Sequence, residues 1–467
     1  MNDSKKNGTL HSLEPAHVAS WTVVALLAFF PVIATLIWPI PNGVGGLVGL
    51  NVEISQLSGL VGTVLYALSL VLATRLRFLE PMFGGLNRVY SAHHLIGGLA
   101  FIGLMIHPLF VAFALIPEGL YAAALSLIPN GLSPLSALFN TQHMLHEGVL
   151  QQWAITFGIV GFWGMVVMLM VTLFVKLPYQ IWLLIHKFLG VAFLISGLHI
   201  FFIYSDTSDN KILRYYMLAM VAIGLIAYVY KTLLGSFVLR RYKYSVEKSE
   251  LVADNIIRVV LRPYNQRMSF TPGQFVYMRL FDLNGKPMDG WHPFSVSSSS
   301  TEPYLELCIK NLGDFTERLL NLGPGMDVEI EGAYGRFSYV NYQSRDQVWI
   351  AGGIGISPFL SMLKDLPDQG YRVYLFYTVS TASEFVSTEV LNMLAMQKQN
   401  SVRIIPFATD QQGRHLTIED IETLSGALTG KDFYLCGPAP MMDSLRKQLK
   451  AKGVPGAHIH TEEFAML

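Results

Sequence analysis

Five histidines lie in two apolar stretches of the sequence. The first stretch reads HHLIGGLAFIGLMIH and holds His93, His94 and His107; the second reads HKFLGVAFLISGLH and holds His186 and His199. Ionisable residues inside a membrane-length apolar span are costly and point to function. A single core hydrogen bond explains one such histidine, but not two matched pairs spaced 14 and 13 residues apart. Zinc gathers its ligands within about 2 Å of one ion. At 1.5 Å per residue each pair spans about 20 Å of helix, so its members cannot converge on one ion. Two stacked sites, each taking one histidine from each helix, fit the spacing. Haem iron takes axial ligands from opposite faces of a macrocycle that needs an apolar slot. The reading is two bis-histidine b-type haems, with His93 and His186 on the inner iron and His107 and His199 on the outer.

Helical geometry favours this on one stretch and strains it on the other. Fourteen residues at 100° each bring His107 within about 40° of the face of His93. His94 competes with His93 by adjacency, but only the pairing of His93 with His107 keeps one face. Thirteen residues leave His199 about 140° from the face of His186. Bending near Gly190 or Gly197 is one way to bring these two into line.

The elements that must position these residues follow from composition. The chain has 467 residues, 52% hydrophobic and only 14% charged, against about 25% charged in ordinary soluble proteins. Net charge is zero, so nothing suggests a nucleic-acid partner. The two cysteines, Cys308 and Cys436, both fall in the polar C-terminal half, which argues against a disulfide framework. The polar N-terminus lacks a cleavable signal pattern. Six stretches are long enough to cross a bilayer: Trp21–Ile40, Leu57–Leu76, Tyr90–Ile116, Trp153–Leu177, Tyr179–Tyr204 and Leu213–Val238. Lys and Arg concentrate at one set of ends, Arg75, Arg77, Arg88, Lys176, Lys187, Arg240 and Arg241 among them. Lys211 and Arg214 alone break the pattern. The bias predicts that both termini are cytoplasmic.

Beyond residue 240 the chain carries ordinary charge and alternating strand patterns separated by turn residues, as in an antiparallel barrel. The segment WHPFSVSSSS contains His292, Pro293, Phe294 and Ser295. It is followed by LCIKNLGDFTERL, where Lys310 precedes a turn at Gly313 and a helix bearing Thr316. A basic residue before such a turn can hold a pyrophosphate, because a helix N-terminus offers free N–H groups. Then DQVWIAGGIGISPFL reads as strand, glycine loop and helix, and Gly352, Gly353 and Gly355 let backbone approach a phosphate closely. Pro358 stands where the dinucleotide fingerprint has its third glycine. FYLCGPAPMM follows some 80 residues later.

The two histidine segments resemble those of the ferric reductase and NADPH oxidase superfamily, and the motifs of the C-terminal half follow in that family's order. The resemblance implies a multi-domain chain. Residues 1–19 are a cytoplasmic tail, residues 20–239 a six-helix haem-binding transmembrane bundle, residues 240–342 an antiparallel β-barrel FAD domain, and residues 343–467 an α/β NAD(P)-binding domain. It implies FAD at His292, Pro293, Phe294, Ser295, Lys310, Gly313 and Thr316. It implies NADH or NADPH at Gly352, Gly353, Gly355, Ser357 and Pro358, with Cys436, Gly437 and Pro438 beside the nicotinamide and Phe464 over the flavin. No catalytic residue beyond this cofactor chain is expected.

The expected activity is transfer of electrons from cytoplasmic NAD(P)H through FAD and two b-type haems to a small acceptor outside a bacterial inner membrane, with no required protein partner. Superoxide-making relatives carry a histidine where this chain has Val111, and an arginine near the place of Gln56. A ferric chelate or similar metal complex therefore ranks ahead of oxygen as acceptor, a quinone stays open, and an NADPH oxidase reducing oxygen to superoxide is the alternative. His143, His146 and Glu147 share a helical spacing that suits metal docking, although a solvated loop face explains them more simply. No arginine follows the second strand of the nucleotide domain, which leans toward NADH, with Ser380 or Arg403 able to compensate.

Overall fold

The computed structural model describes residues 15–37, 45–128, 147–205, 209–235, 239–282, 284–288, 290–386 and 388–462. Among the described residues the chain divides into two compact units, one formed by residues 19–79 and 88–238, the other by residues from 239 onward together with residues 15–18 and 80–87.

The membrane unit contains six helices long and apolar enough to cross a bilayer. They are α1 (Pro15–Ile37), α2 (Gly46–Leu72), α3 (Leu86–Leu115), α4 (Glu147–Phe174), α5 (Tyr179–Phe202) and α6 (Lys211–Val229). Only a helix satisfies all its backbone polar groups within one segment, which a hydrocarbon solvent requires. Large apolar side chains such as Leu95, Ile102, Leu184, Phe188 and Phe201 are exposed on their outer faces. α2 begins eleven residues before the apolar run that announces it, taking in Asn51, Glu53, Ser55 and Gln56. Glycine lets neighbours approach closely, as expected for helix pairs in lipid. A Cβ on Gly103 of α3 would lie 3.2 Å from Gly62 Cα of α2. On α5, Gly190 receives Tyr228 and Gly197 receives Val221, both from α6. These two glycines serve packing, and α5 is helical throughout rather than broken at either. Tyr66 of α2 donates to the Leu189 carbonyl of α5 at 2.7 Å and meets Phe193 edge-on, tying the bundle at mid-height.

The other unit holds two sheets. The first is antiparallel: β1 (Arg241–Ala253), β2 (Ile256–Pro263), β3 (Phe275–Leu280), β4 (His292–Ser295), β5 (Leu305–Lys310) and β6 (Asp327–Tyr334), in the order β4-β3-β6-β1-β2-β5. It curls into a half-barrel. A bridge from Val296 to Leu307 brings its two edges together just past β4. Val259, Leu261, Val276, Leu307 and Ile330 fill the inside. A short helix α7 (Asp314–Arg318) follows β5.

The second sheet is wholly parallel: β7 (Asp346–Gly352), β8 (Arg372–Val379), β9 (Val402–Ala408), β10 (Asp432–Cys436) and β11 (Ile459–Glu462), ordered β11-β10-β7-β8-β9. Its strands read as continuous apolar runs because helices cover both faces. The helices are α8 (Ser357–Asp365), α9 (Thr388–Gln397), α10 (Ile418–Ser425) and α11 (Ala439–Ala451). The Ser300 N–H donates to the Asp365 carboxylate at 2.9 Å, and Tyr339 donates to the Asp365 carbonyl at 2.9 Å, joining half-barrel to parallel sheet.

Candidate functional site

In the membrane unit, α3 and α5 bring the histidines together as two pairs. The ring centres of His93 and His186 lie 6.1 Å apart, and those of His107 and His199 lie 6.3 Å apart. A metal–nitrogen bond of about 2 Å on each side, with about 1.1 Å from nitrogen to ring centre, would separate two imidazoles on one iron by about 6.2 Å. Both gaps therefore fit one iron each. No group of three or more His, Cys, Asp or Glu converges on one point among the described residues. The donor set is pairs, as axial ligation requires.

Neighbouring helices fix three of the rings. His93 Nδ1 lies 2.9 Å from the Ser69 carbonyl, His107 Nδ1 lies 2.8 Å from the Ser55 carbonyl, and His199 Nδ1 lies 2.8 Å from the Ala154 carbonyl. A carbonyl only accepts, so each Nδ1 carries the proton and each Nε2 keeps its lone pair for a metal. Ser55 and Ser69 are 14 residues apart on α2, matching the interval between His93 and His107 on α3. One turn beyond two of these acceptors stands a glycine. A Cβ on Gly59 would lie 2.7 Å from His107 Nδ1, and one on Gly158 would lie 2.8 Å from His199 Nδ1. His94, the competitor of His93, is exposed and has its ring 5.6 Å from that of His93.

In the half-barrel, His292, Pro293, Phe294 and Ser295 form β4 and pair with Met278, Tyr277, Val276 and Phe275 of β3. The His292 ring stacks on Phe315 at 3.7 Å, and Phe294 lies parallel to Phe315 at 6.1 Å. Ser295 Oγ is buried without a hydrogen-bond partner among the described residues, an orphan that a bound group would satisfy. Lys310 ends β5, and Gly313 begins the turn into α7. The Thr316 hydroxyl accepts from the Leu312 and Gly313 N–H groups at 2.9 and 3.1 Å, so it shapes this turn.

In the parallel sheet, β7 and β10 are neighbours, but the chain leaves β7 toward β8 and reaches β10 only after β9. This is the point at which strand order reverses, where open α/β sheets bind ligands beyond the strand C-termini. Gly352, Gly353 and Gly355 lie at the end of β7, and Cys436, Gly437 and Pro438 at the end of β10. The two turns are back to back. A Cβ on Gly355 would lie 2.1 Å from the Cys436 carbonyl oxygen, and one on Gly437 would lie 2.9 Å from Gly352 Cα. Ser357 is buried, with its Oγ 3.2 Å from the Cys308 carbonyl and 2.9 Å from that of Ile354, and Pro358 opens α8. Burial, with Glu462 beside it, pushes the Cys436 thiol well above its ordinary value, which keeps it neutral. Ser380, Thr381 and Ser383 follow β8, with Thr381 and Ser383 hydroxyls 3.1 Å apart. Arg403 pairs with Tyr374, five residues short of the end of β8. That is about 17 Å from the site at 3.3 Å per residue, so Arg403 does not compensate there. Phe464, His143 and His146 lie outside the described residues, and the side chain of Glu147 does too.

The residues that sequence reasoning missed are the acceptors and spacers: Ser55, Ser69, Ala154, Gly59, Gly158 and also Trp182. Backbone carbonyls carry no residue signature. A glycine one helical turn from a facing histidine was the legible clue.

Comparison with known proteins supplies the family. Residues 58–197 match the family described as ferric reductase like transmembrane component, residues 241–337 an FAD-binding domain, and residues 349–447 an oxidoreductase NAD-binding domain. The chain is similar to the electron transfer component of toluate 1,2-dioxygenase from Pseudomonas putida, 26% identical over 235 residues that cover 48% of this chain and 68% of the relative. It is similar to the corresponding component of anthranilate 1,2-dioxygenase from Acinetobacter baylyi, 28% identical over 46% of this chain and 64% of the relative. It is also similar to the ferredoxin–NAD(+) reductase component of the alkene monooxygenase system of Xanthobacter autotrophicus, 30% identical over 48% of this chain and 70% of the relative. With six membrane-length helices preceding its FAD-binding and NAD-binding domains, the chain is a membrane-embedded oxidoreductase and belongs to the ferric reductase / NADPH oxidase superfamily.

Proposed function

We propose that this protein carries electrons from NADH on the cytoplasmic side to a small acceptor on the outside of a bacterial inner membrane, with both termini cytoplasmic. The observation that carries the reading is the pair of facing imidazole pairs, 6.1 and 6.3 Å apart, at two levels of one bundle. When bound, FAD supplies the exchange between a two-electron hydride and single electrons, and two b-type haems supply one-electron relays.

The residues divide the work. His93 and His186 hold one iron, and His107 and His199 the other. The carbonyls of Ser69, Ser55 and Ala154 hold three of those rings in the ligating tautomer. The β4 backbone, Ser295 and the His292–Phe315 stack form the flavin side, with Lys310 and the Gly313 turn toward its phosphates. The glycine turns after β7 and β10 admit the nicotinamide dinucleotide, and neutral Cys436 packs beside its ring without acting as a nucleophile. Hydroxyls and Glu384 follow β8, with no guanidinium among these residues to meet a 2′-phosphate. A 2′-phosphate there would find no cationic partner and would meet the like charge of the Glu384 carboxylate, a juxtaposition that costs affinity, so NADH should surpass NADPH by about tenfold or more in kcat/KM. Comparable constants for the two would refute that preference.

A ferric chelate or similar metal complex is ranked ahead of oxygen, because Val111 and Gln56 occupy the positions where superoxide-making relatives carry basic residues. The scheme is tested by anaerobic addition of NADH to the purified full chain and to His186→Ala. Flavin and haem should both be reduced in the native protein, and the variant should keep flavin reduction. A folded, FAD-loaded variant that has lost flavin reduction would contradict the scheme. Superoxide dismutase-sensitive cytochrome c reduction, measured beside ferric-chelate reduction, distinguishes the acceptors.

A further inference from the structure

The four paired histidines are not equivalent, and the exception has a substitute. His93, His107 and His199 each direct Nδ1 at a helix carbonyl. His186 makes no such bond among the described residues. Its ring instead lies flat against the Trp182 indole, with centres 5.1 Å apart and planes 7° apart. Trp182 Nε1 donates to the Thr172 carbonyl of α4 at 2.9 Å. This is the helix whose Ala154 carbonyl takes His199.

The spacing on α5 explains why. His186 and His199, thirteen residues apart, leave the helix on faces about 140° apart, so they cannot both turn toward α4. Trp182 lies one turn before His186 and about 100° from the face of His199, nearer to α4. On α4 the two acceptors, Ala154 and Thr172, are 18 residues apart. That is five turns, which returns them to one face about 27 Å apart. Trp182 and His199 are 17 residues, or about 26 Å, apart. The donors on α5 that match the acceptors on α4 are therefore Trp182 and His199.

We infer that Trp182 is a positioning residue for His186: its N–H fixes the indole on α4, and the stacked indole sets the plane of an imidazole that has no carbonyl anchor of its own. The inference rests on the two-haem reading. It makes the His186 site the softer of the two. A ligand held by stacking has rotational freedom that a hydrogen-bonded one lacks, and ligands that orient a metal-bound imidazole tune the metal.

The test uses the purified full-length protein, Trp182→Leu, Trp182→Phe and, as control, Trp163→Phe. Trp163 also donates to a backbone carbonyl, that of Leu127 at 2.7 Å, and its ring meets Phe162 edge-on rather than a histidine. Carbon monoxide binding to the reduced protein and resolved haem midpoint potentials are the readouts. Six-coordinate bis-histidine haem is inert to carbon monoxide until a ligand leaves. In Trp182→Leu one haem of the two should become carbon monoxide-reactive and shift in potential, while the other keeps its native potential. Trp182→Phe, which keeps a ring but loses the N–H, should leave both haems inert and shift the same potential by less. Trp163→Phe should shift neither.

Native potentials and inertness in folded Trp182→Leu would overturn the inference. If that variant does not accumulate, an unshifted potential in Trp182→Phe would do so. An equal shift in the Trp163→Phe control would reduce Trp182 to a general packing residue and overturn it too. Native protein without two haems would instead sink the reading beneath it.

Discussion

The two units build their sites from different parts of the chain. In the membrane unit the groups that face each other are side chains on helices, and backbone carbonyls from neighbouring helices steady them. In the other unit the approach is made by backbone itself, at glycine turns after β7 and β10, and side chains steady it. Helices in lipid have no free backbone donors to offer mid-span, so a ligand there must be a side chain. Strand ends at a switch point have free N–H groups and need room rather than reach. Substitution should therefore act by removing a group in the first unit and by adding one in the second.

The sharpest break in that contrast would come at the ligands. On the proposed reading, His199→Ala and His107→Ala should each remove one haem entirely, leaving FAD content and NADH-driven flavin reduction unchanged. Haem and flavin quantification on the same sample checks this, and full haem in either variant would break the assignment. The next effect should come from adding one methyl group. Gly355→Ala would set a Cβ 2.1 Å from the Cys436 carbonyl, and overpacking of this kind costs about 1–3 kcal/mol. A rise in the NADH dissociation constant of about tenfold or more is expected, with haem content unaltered. Titration of NADH binding by flavin-independent fluorescence would read it.

Gly158→Ala sharpens the contrast from the other side. Its Cβ would lie 2.8 Å from His199 Nδ1 and would displace that ring from the Ala154 carbonyl. Loss of such an outer contact typically costs about 10–100-fold in metal affinity. Retention of haem should fall in this variant but not in Gly164→Ala, where the added Cβ meets, among the described residues, only Met168, at 3.8 Å. The smallest effect should come from a surface pair. The Arg414 guanidinium donates to both Asp420 oxygens at 2.6 Å and holds that carboxyl down at about 2. A depressed folded value adds stability above the ordinary carboxylate range and loses it as pH falls toward 2. Because the pair is exposed, Arg414→Gln should lower stability at neutral pH only slightly. The difference from native protein in thermal unfolding should vanish in acid.

Much of this was legible in the sequence, and the gaps have physical causes. Hydropathy located the six helices, because a bilayer demands long apolar runs. It placed the start of α2 eleven residues late, because Asn51, Glu53, Ser55 and Gln56 are polar residues inside a helix. The 14-residue interval between His93 and His107 reads directly as one face. The 13-residue interval between His186 and His199 did not, and α5 runs as one unbroken helix through Gly190 and Gly197. Those glycines admit Tyr228 and Val221, and the mismatch is taken up by unequal anchoring, with Trp182 standing in. The acceptors at Ser69, Ser55 and Ala154 act through backbone carbonyls, which every residue has, so their identities gave no signal. In the other unit the glycine loop and the Cys-Gly-Pro turn were visible as motifs. That they stand back to back depends on strand order, which local pattern does not encode.

The central claim is that the two facing imidazole pairs hold two irons in one chain. Pyridine haemochrome measurement on the purified full-length protein, with FAD quantified on the same sample, tests it most directly. The account predicts two b-type haems for each FAD, falling to one in His199→Ala. One haem or none in the native protein would contradict it.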